Sequence, residues 1–218
     1  MDSVTIGFRN SYTKDGEMVF MKIGCIILAG GKSSRMGEDK ALLEYEGKYF
    51  IEKIAEELSF FEEKIIARGN NSSLAEITDS KWQVIPDVYP EHGPMGGMHA
   101  ALKACESDAM FAVTCDMPLI TEELVRQLCE VFDQKYDALI AVTSDGKYHP
   151  LCGIYRKELY ASMEKYLKED NNRMMAVLKN AHTKYFQLGE KESKQLANVN
   201  TREEYGQILK SLAIIDKI

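Results

Sequence analysis

The chain has 218 residues, 45% of them hydrophobic and 28% charged, with a formal net charge of −7. That length buries one substantial core and leaves little room for two full domains. The acidic balance argues against a nucleic-acid partner, and no apolar run reaches the roughly 18 residues of a membrane span.

Residues 1–20 are polar and carry the turn signals Asn10-Ser11 and Asp15-Gly16. They read either as an appended arm, such as a hairpin turning at Lys14-Asp15-Gly16, or as upstream sequence ahead of a natural start at Met21. Their lack of a basic and apolar leader leads to the expectation of a cytoplasmic protein. From Ile23 on, short apolar runs alternate with helical patterns. Strands are predicted at Ile23–Leu28, Lys64–Ala67, Gln83–Pro86, Ala109–Thr114, Asp137–Val142, Leu151–Tyr155 and Thr183–Gln187. Helices are predicted at Tyr49–Leu58, Met95–Ala104, Thr121–Phe132 and Arg156–Leu167, and Thr201-Arg202-Glu203-Glu204 is a capping box that opens a last one. The alternation argues for an α/β fold with a mostly parallel sheet. In such sheets ligands bind beyond the carboxyl ends of the strands.

The segment after the first apolar strand is Ala29-Gly30-Gly31-Lys32-Ser33-Ser34-Arg35-Met36-Gly37, followed by Glu38-Asp39-Lys40. Paired glycines let backbone approach a ligand, and three cations follow within nine residues, Lys32 to Lys40. This composition suits a polyphosphate. It is not a P-loop, because Ile26 stands where the first glycine is needed. Nor is it a dinucleotide fingerprint, because Lys32 replaces the second glycine. An ordinary strand-to-helix turn with solvated cations is the competing reading.

Downstream, Pro86-Asp87 precedes Gly93-Pro94-Met95-Gly96-Gly97, a loop that leads into a helix N-terminus with free N–H donors. Phe111–Thr114 runs into Cys115-Asp116-Met117-Pro118. A carboxylate there, beside a phosphate loop, suits Mg²⁺, although taken alone Asp116 would read as a helix cap or loop acid before Pro118. In Asn198-Val199-Asn200-Thr201 the alternation of an extended chain turns both Asn side chains to one side. The cysteines Cys25, Cys105, Cys115, Cys129 and Cys152 have no metal spacing and read as buried free thiols.

The segment Leu28–Leu43, LAGGKSSRMGEDKALL, closely resembles the signature of molybdenum cofactor guanylyltransferases. The resemblance extends from about Met21 to the final helix. It implies a three-layer α/β/α, Rossmann-like nucleotidyltransferase fold, as a single domain over residues 21–218. It also implies transfer of GMP from GTP to the phosphate of molybdopterin, with Mg²⁺ as cofactor and pyrophosphate released. Leu28, Ala29, Gly30 and Gly31 would hold the guanosine end, Arg35 and Lys40 the triphosphate, and Asp87 with Arg68 or Asn70 the nucleotide. Asp116 and Asn200 would hold the metal, with Asn198 on the metal and acceptor side. His149, in Lys147-Tyr148-His149-Pro150-Leu151 ahead of a strand, and Arg173, in Asn171-Asn172-Arg173, would face the pterin; a structural His and a solvated loop remain open. Gly96 stands where the family usually has Ala. The partners implied are GTP, molybdopterin, a protein that delivers the pterin and the molybdoenzymes that receive the product. A transferase using CTP or a sugar phosphate, or a non-catalytic nucleotide-binding regulator, is the alternative. Cytidylyl relatives usually carry Ala-Ala-Gly at Ala29-Gly30-Gly31, which favours guanine.

Overall fold

The computed structural model describes residues 8–12, 18–30, 40–69 and 81–215. The chain begins with β1 (Phe8–Tyr12) and β2 (Met18–Met21), which pair antiparallel. This is the hairpin arrangement expected for the arm, although its turn lies outside the described residues. Then come β3 (Ile23–Leu28), a second small hairpin of β4 (Glu44–Tyr45) and β5 (Lys48–Tyr49), α1 (Phe50–Glu57), β6 (Lys64–Ala67), β7 (Gln83–Ile85) and α2 (Gly93–Ala104). The second half holds β8 (Ala109–Thr114), α3 (Glu122–Val131), β9 (Ala138–Val142), β10 (Tyr148–Arg156), α4 (Leu159–Lys168), α5 (Met174–Leu178), β11 (Thr183–Gln187), α6 (Glu190–Gln195) and α7 (Arg202–Ile215).

Among the described residues, seven strands form one sheet in the order β11-β9-β10-β8-β3-β6-β7. Neighbouring strands are parallel except β10, which runs against both β8 and β9. The reversal follows from chain length. A parallel crossover needs a dozen residues or more, and the link from Val142 to Tyr148 allows only a hairpin.

Every side chain of β3, β8 and β9 is buried, because helices cover the sheet on both faces. On one face Ile27, Phe111, Val113 and Ile154 pack with Ile51 and Ile54 of α1 and Leu124 and Leu128 of α3. On the other, Ile26, Leu28, Ala112 and Tyr155 pack with Met98 and Leu102 of α2, Met163 of α4 and Val177 of α5. This is the three-layer architecture expected. Four of the five cysteines are buried and all are free. Burial pushes the Cys105 thiol up to about 11 and Cys152 to about 12, so both stay protonated and inert. Among the described residues no helix is long and apolar enough to cross a membrane.

Three boundaries differ from the expected pattern by two residues or more. The helix drawn from Arg156 starts at Leu159, because Arg156 still pairs with Ala109 at the end of β10. His149-Pro150 lies inside β10 and not ahead of it, with His149 opposite Ala141. The register slips within β1, between Arg9 and Ser11, and within β10, between His149 and Gly153, whereas α2 begins two residues earlier than expected, at Gly93. Proline is at home in a helix's first turn, where its missing N–H costs nothing.

Candidate active site

Four parallel strands end side by side. Leu28 is in register with Ala67 on one side and Thr114 on the other, and Ala67 is in register with Ile85. The ladder continues one residue further. Ala29 N–H donates to the Ala67 carbonyl at 2.9 Å, Arg68 N–H to Ile85 at 3.1 Å and Cys115 N–H to Leu28 at 3.1 Å. The residues just past each strand, Gly30, Gly69, Asp87 and Asp116, therefore rise from one edge.

Gly30 and Gly69 cross at close range. A Cβ on Gly30 would stand 3.0 Å from both Cα and N of Gly69, and Gly69 has φ +57°, the left-handed region that disfavours side chains. The Gly69 amide donates to the Asp87 carboxylate. Asp87 is tucked under the start of α2: a Cβ on Gly96 or Gly97 would come within 3.3 Å of its oxygens. Its Oδ1 is buried with no hydrogen-bond partner among the described residues. Burial raises the Asp87 pKa above the ordinary carboxylate value, and the Gly69 amide offsets part of the rise. A buried acceptor without a donor is costly to keep, so Asp87 is poised for a ligand's N–H or O–H.

Asp116 is half-buried, and Thr114 Oγ1 donates to its Oδ1 at 2.5 Å. Its carbonyl accepts the Val199 N–H at 2.9 Å. This one backbone bond joins two segments far apart in sequence. Val199 is fully buried beside Leu43, Tyr45, Phe50 and Ile208, whereas its neighbours Asn198 and Asn200 are only partly buried. Asn198 Oδ1 is buried with no partner among the described residues. The segment is held by the expected capping box: Glu204 accepts the Asn200 and Thr201 N–H groups at 2.7 and 2.9 Å, and Glu204 N–H donates to Thr201 Oγ1 at 3.1 Å.

Because β10 runs antiparallel, its first residues stand at the same edge as the carboxyl ends of β8 and β9. His149 is buried there, and its Nε2 has no partner among the described residues. Burial lowers its pKa first, the Lys147 charge adds to that, and Asp145 pulls the other way, so the imidazole is neutral near pH 7. Arg173 is exposed at the N-cap of α5, and its N–H donates to Asn171 Oδ1 at 3.2 Å. Neighbouring Asp170 lies 3.4 Å from Nε2 of His92, the residue that precedes α2, which brings the Asn171–Arg173 loop to the margin of the site.

The structure thus gathers Leu28, Ala29, Gly30, Arg68, Asp87, Asp116, Asn198 and Asn200 at one edge, with His149 further along it and Arg173 at its rim. Gly31, Arg35 and Asn70 lie outside the described residues, as does the side chain of Lys40. Two supporting residues went unread in the sequence: Gly69, which donates to Asp87, and Thr114, which donates to Asp116. A hydroxyl two residues before an acid at a strand end is a signal that could have found Thr114. A separate cavity of about 490 Å³ opens at the opposite, amino edge of the sheet, between Lys22, Glu63, Gln83 and Ser107. Glu63 there accepts the Glu106 and Ser107 N–H groups, both at 2.7 Å, which gives that carboxylate a structural job.

The sequence model of the MobA-like NTP transferase domain matches residues 25–185. A protein of Clostridium perfringens strain SM101, named "Probable molybdenum cofactor guanylyltransferase", is 36% identical over 202 residues, covering 89% of this chain and 100% of the relative. A protein of Aquifex aeolicus strain VF5 with the same name is 32% identical over 186 residues, covering 85% and 89%. Among solved structures, one from Aquifex aeolicus VF5 superposes with TM-score 0.70 at 32% identity, covering 83% of this chain and 94% of that one. The molybdopterin-guanine dinucleotide biosynthesis protein A of Archaeoglobus fulgidus superposes with TM-score 0.74 at 24% identity, covering 91% and 100%, and shares the fold.

Proposed function

We propose, from the premise that this chain belongs to the MobA-like NTP transferase family, that it is a molybdenum cofactor guanylyltransferase. It transfers GMP from GTP to the phosphate of molybdopterin, releases pyrophosphate and forms the guanine dinucleotide cofactor. The observation that carries this reading is likeness, over nearly the whole chain, to relatives that bear that name.

The chemistry asks little acid–base work of the protein. An oxygen of the pterin's phosphate attacks the α-phosphorus of GTP. The bond from that phosphorus to the bridging oxygen breaks, and its electron pair leaves with pyrophosphate. The attacking phosphate is already ionised near neutral pH, so no side chain must take a proton. Catalysis then rests on positioning and on neutralising charge. The Gly30–Gly69 crossing admits the nucleotide close to backbone, with Asp87 accepting from it. Arg35 and Lys40 are assigned to the triphosphate.

Among the described residues no group of three or more His, Cys, Asp or Glu could hold a metal. The donor set is one carboxylate, Asp116, beside the amide oxygens of Asn198 and Asn200. Such a sparse set fits Mg²⁺, which completes its six oxygens from water and substrate phosphates. When bound, Mg²⁺ would neutralise phosphate charge. Asp116 and Asn200 would hold it, and Thr114 fixes the Asp116 carboxylate by donating to one oxygen. The reading also makes a pterin-delivering protein and the recipient molybdoenzymes partners of this chain, and the cytoplasm its place.

The test is a transfer assay with purified protein, molybdopterin, Mg²⁺ and each of the four NTPs in turn, the product identified by mass. Formation of the guanine dinucleotide with pyrophosphate release is the expected result. Transfer from CTP and not GTP, or no transfer to molybdopterin, overturns the assignment.

A further inference from the structure

The loop from Pro86 to His92 carries Asp87 from the end of β7 to the start of α2. It turns through a left-handed residue, Glu91 at φ +67°, just before Gly93 at φ +60°. A non-glycine residue in that region is strained and persists only where its surroundings hold it. Tyr89 supplies a hold. Its carbonyl lies against the first turn of α2: a Cβ on Gly96 would stand 2.6 Å from that oxygen and 3.3 Å from Asp87 Oδ2, so one helix glycine meets both residues. The Tyr89 ring is edge-on to His99, with centroids 5.2 Å apart, and to His92 at 6.1 Å. Its hydroxyl reaches α4 and donates to Glu164 Oε1 at 3.3 Å. Lys103 of α2 donates to the same oxygen at 3.4 Å, and Lys168 donates to Oε2 at 3.2 Å. His99 is fully buried between the rings of Tyr89 and Tyr160. Its Nε2 is 3.8 Å from Glu164 Oε1, too far for a hydrogen bond, and neither ring nitrogen has a partner among the described residues. Burial lowers its pKa first, Lys103 and then Lys168 add to that, and Glu164 pulls the other way. The imidazole is therefore neutral near pH 7 and leaves Oε1 to the tyrosine.

We infer that Tyr89, anchored on Glu164, is the positioning residue that sets Asp87 against the nucleotide. Packing alone does not call for a tyrosine here, because a phenyl ring would meet His92 and His99 equally well. The hydroxyl adds a bond to α4, a helix that contributes none of the residues gathered at the site edge. Asp87 has the Gly69 amide on its carboxylate and an Oδ1 without a partner among the described residues, so the aim of that oxygen depends on where the loop lies. The loop in turn is wedged between Gly96 and the Tyr89–Glu164 bond. Without the hydroxyl, the left-handed turn at Glu91 can relax and Asp87 can shift from its place under α2. The ion pairs of Glu164 with Lys103 and Lys168 add little by themselves, since exposed pairs are screened by solvent. Their effect is to hold the carboxylate where the tyrosine meets it. This inference rests on the nucleotidyl-transfer reading, in which Asp87 accepts from the nucleotide, and adds the residues that aim it.

Two measurements test it: calorimetric titration of the protein with GTP, and steady-state transfer with GTP varied. Tyr89→Phe removes only the hydroxyl and keeps the ring, so its melt stays near wild type. It should raise the Kd and the KM for GTP about 3- to 10-fold, as expected on losing one ordinary hydrogen bond, with kcat within about twofold. Glu164→Gln keeps an oxygen that accepts from Tyr89 and should bind GTP like the wild type, whereas Glu164→Ala should match Tyr89→Phe. The discriminating step repeats Tyr89→Phe in an Asp87→Ala background, or in Asp87→Asn if the alanine variant does not fold. There the Kd should change by less than about twofold, because the group that Tyr89 positions is gone. Tyr89→Phe with wild-type affinity overturns the inference. So does an equal loss with and without the Asp87 carboxylate, which is what a general loosening of the fold would give. An Asp87→Ala protein with wild-type affinity removes Asp87 from the nucleotide and takes the inference with it. If the wild type binds and transfers another NTP in place of GTP, only the guanylyl reading falls, and the same variants measured with that NTP decide the role of Tyr89.

Discussion

Replacing Gly30 with Ala tests whether the crossing of two loops at the strand ends is the floor of the nucleotide site. The added Cβ would lie 3.0 Å from the Cα and N of Gly69, against 3.4–4 Å for ordinary van der Waals contact, so the loops must part by about 0.4 Å. Neither contacted atom belongs to a flexible side chain. Both loops are pinned just before the crossing, by Ala29 N–H to Ala67 at 2.9 Å and by Arg68 N–H to Ile85 at 3.1 Å. Parting them strains those bonds and shifts the Gly69 amide away from Asp87. Overpacking of this kind costs about 1–3 kcal/mol. If that strain must be overcome to close on the nucleotide, the Kd for GTP rises about 5- to 150-fold, since each 1.4 kcal/mol is a factor of ten. For a chain of this size the same cost lowers Tm by about 2–12 °C. Titration calorimetry with GTP and a thermal melt read the two effects. Gly47→Ala is the control: it has φ +74°, so it carries backbone strain, but an added Cβ meets nothing within 4 Å and Gly47 is not among the residues at the Gly30–Gly69 crossing. It should lower Tm without touching GTP affinity. A Gly30→Ala protein that binds GTP like the wild type would refute the reasoning.

Three further outcomes are expected. Asp116→Asn keeps the shape and the backbone bond to Val199, so the melt stays near wild type while kcat for guanylyl transfer falls about 100- to 1,000-fold; unchanged kcat removes Asp116 from the chemistry. Asp87 has a raised pKa, and its folded form binds a proton more readily than its unfolded form. Its contribution to stability is therefore present below the unfolded value and lost as pH rises through the folded one. Its ability to accept from the nucleotide runs the opposite way, so GTP affinity should weaken on acidification at a pH above the usual carboxylate value, 3.8. Asp87→Asn should flatten that step, and a step that persists in the variant assigns it elsewhere. In Gly153→Ala the Cβ would stand 2.3 Å from the Leu139 carbonyl oxygen in the middle of the sheet. It should cost at least about 3 kcal/mol and lower Tm by about 6 °C or more, with no selective change in GTP binding among the molecules that fold.

The strands were legible because burial on both faces leaves a plain signature. Ile23–Leu28 and Ala109–Val113 are apolar at every position, and such runs in a 218-residue chain admit few other readings. The last capping box was legible for a different reason: it is a local motif whose partners lie within four residues of one another. Short elements with weak patterns escaped. The β4–β5 hairpin has two residues per strand, and α6 has no buried residue at all, so neither leaves a periodic trace. The site divides along the same line. Asp116 and Asn198-Val199-Asn200 could each be singled out as chemistry at the end of an extended run, yet nothing in either segment encodes their meeting. That meeting depends on the Val199 N–H reaching the Asp116 carbonyl, and the bond forms because Val199 fits between Phe50 and Ile208 in a pocket built by three other segments. The same holds for His149. Its place ahead of a proline is visible in the sequence, but its position on the acceptor side follows from β10 running antiparallel. That direction is set by the short link after Val142 and not by any property of the histidine. Residue types announce what chemistry is available, whereas strand direction and long-range packing decide which of those residues can act together.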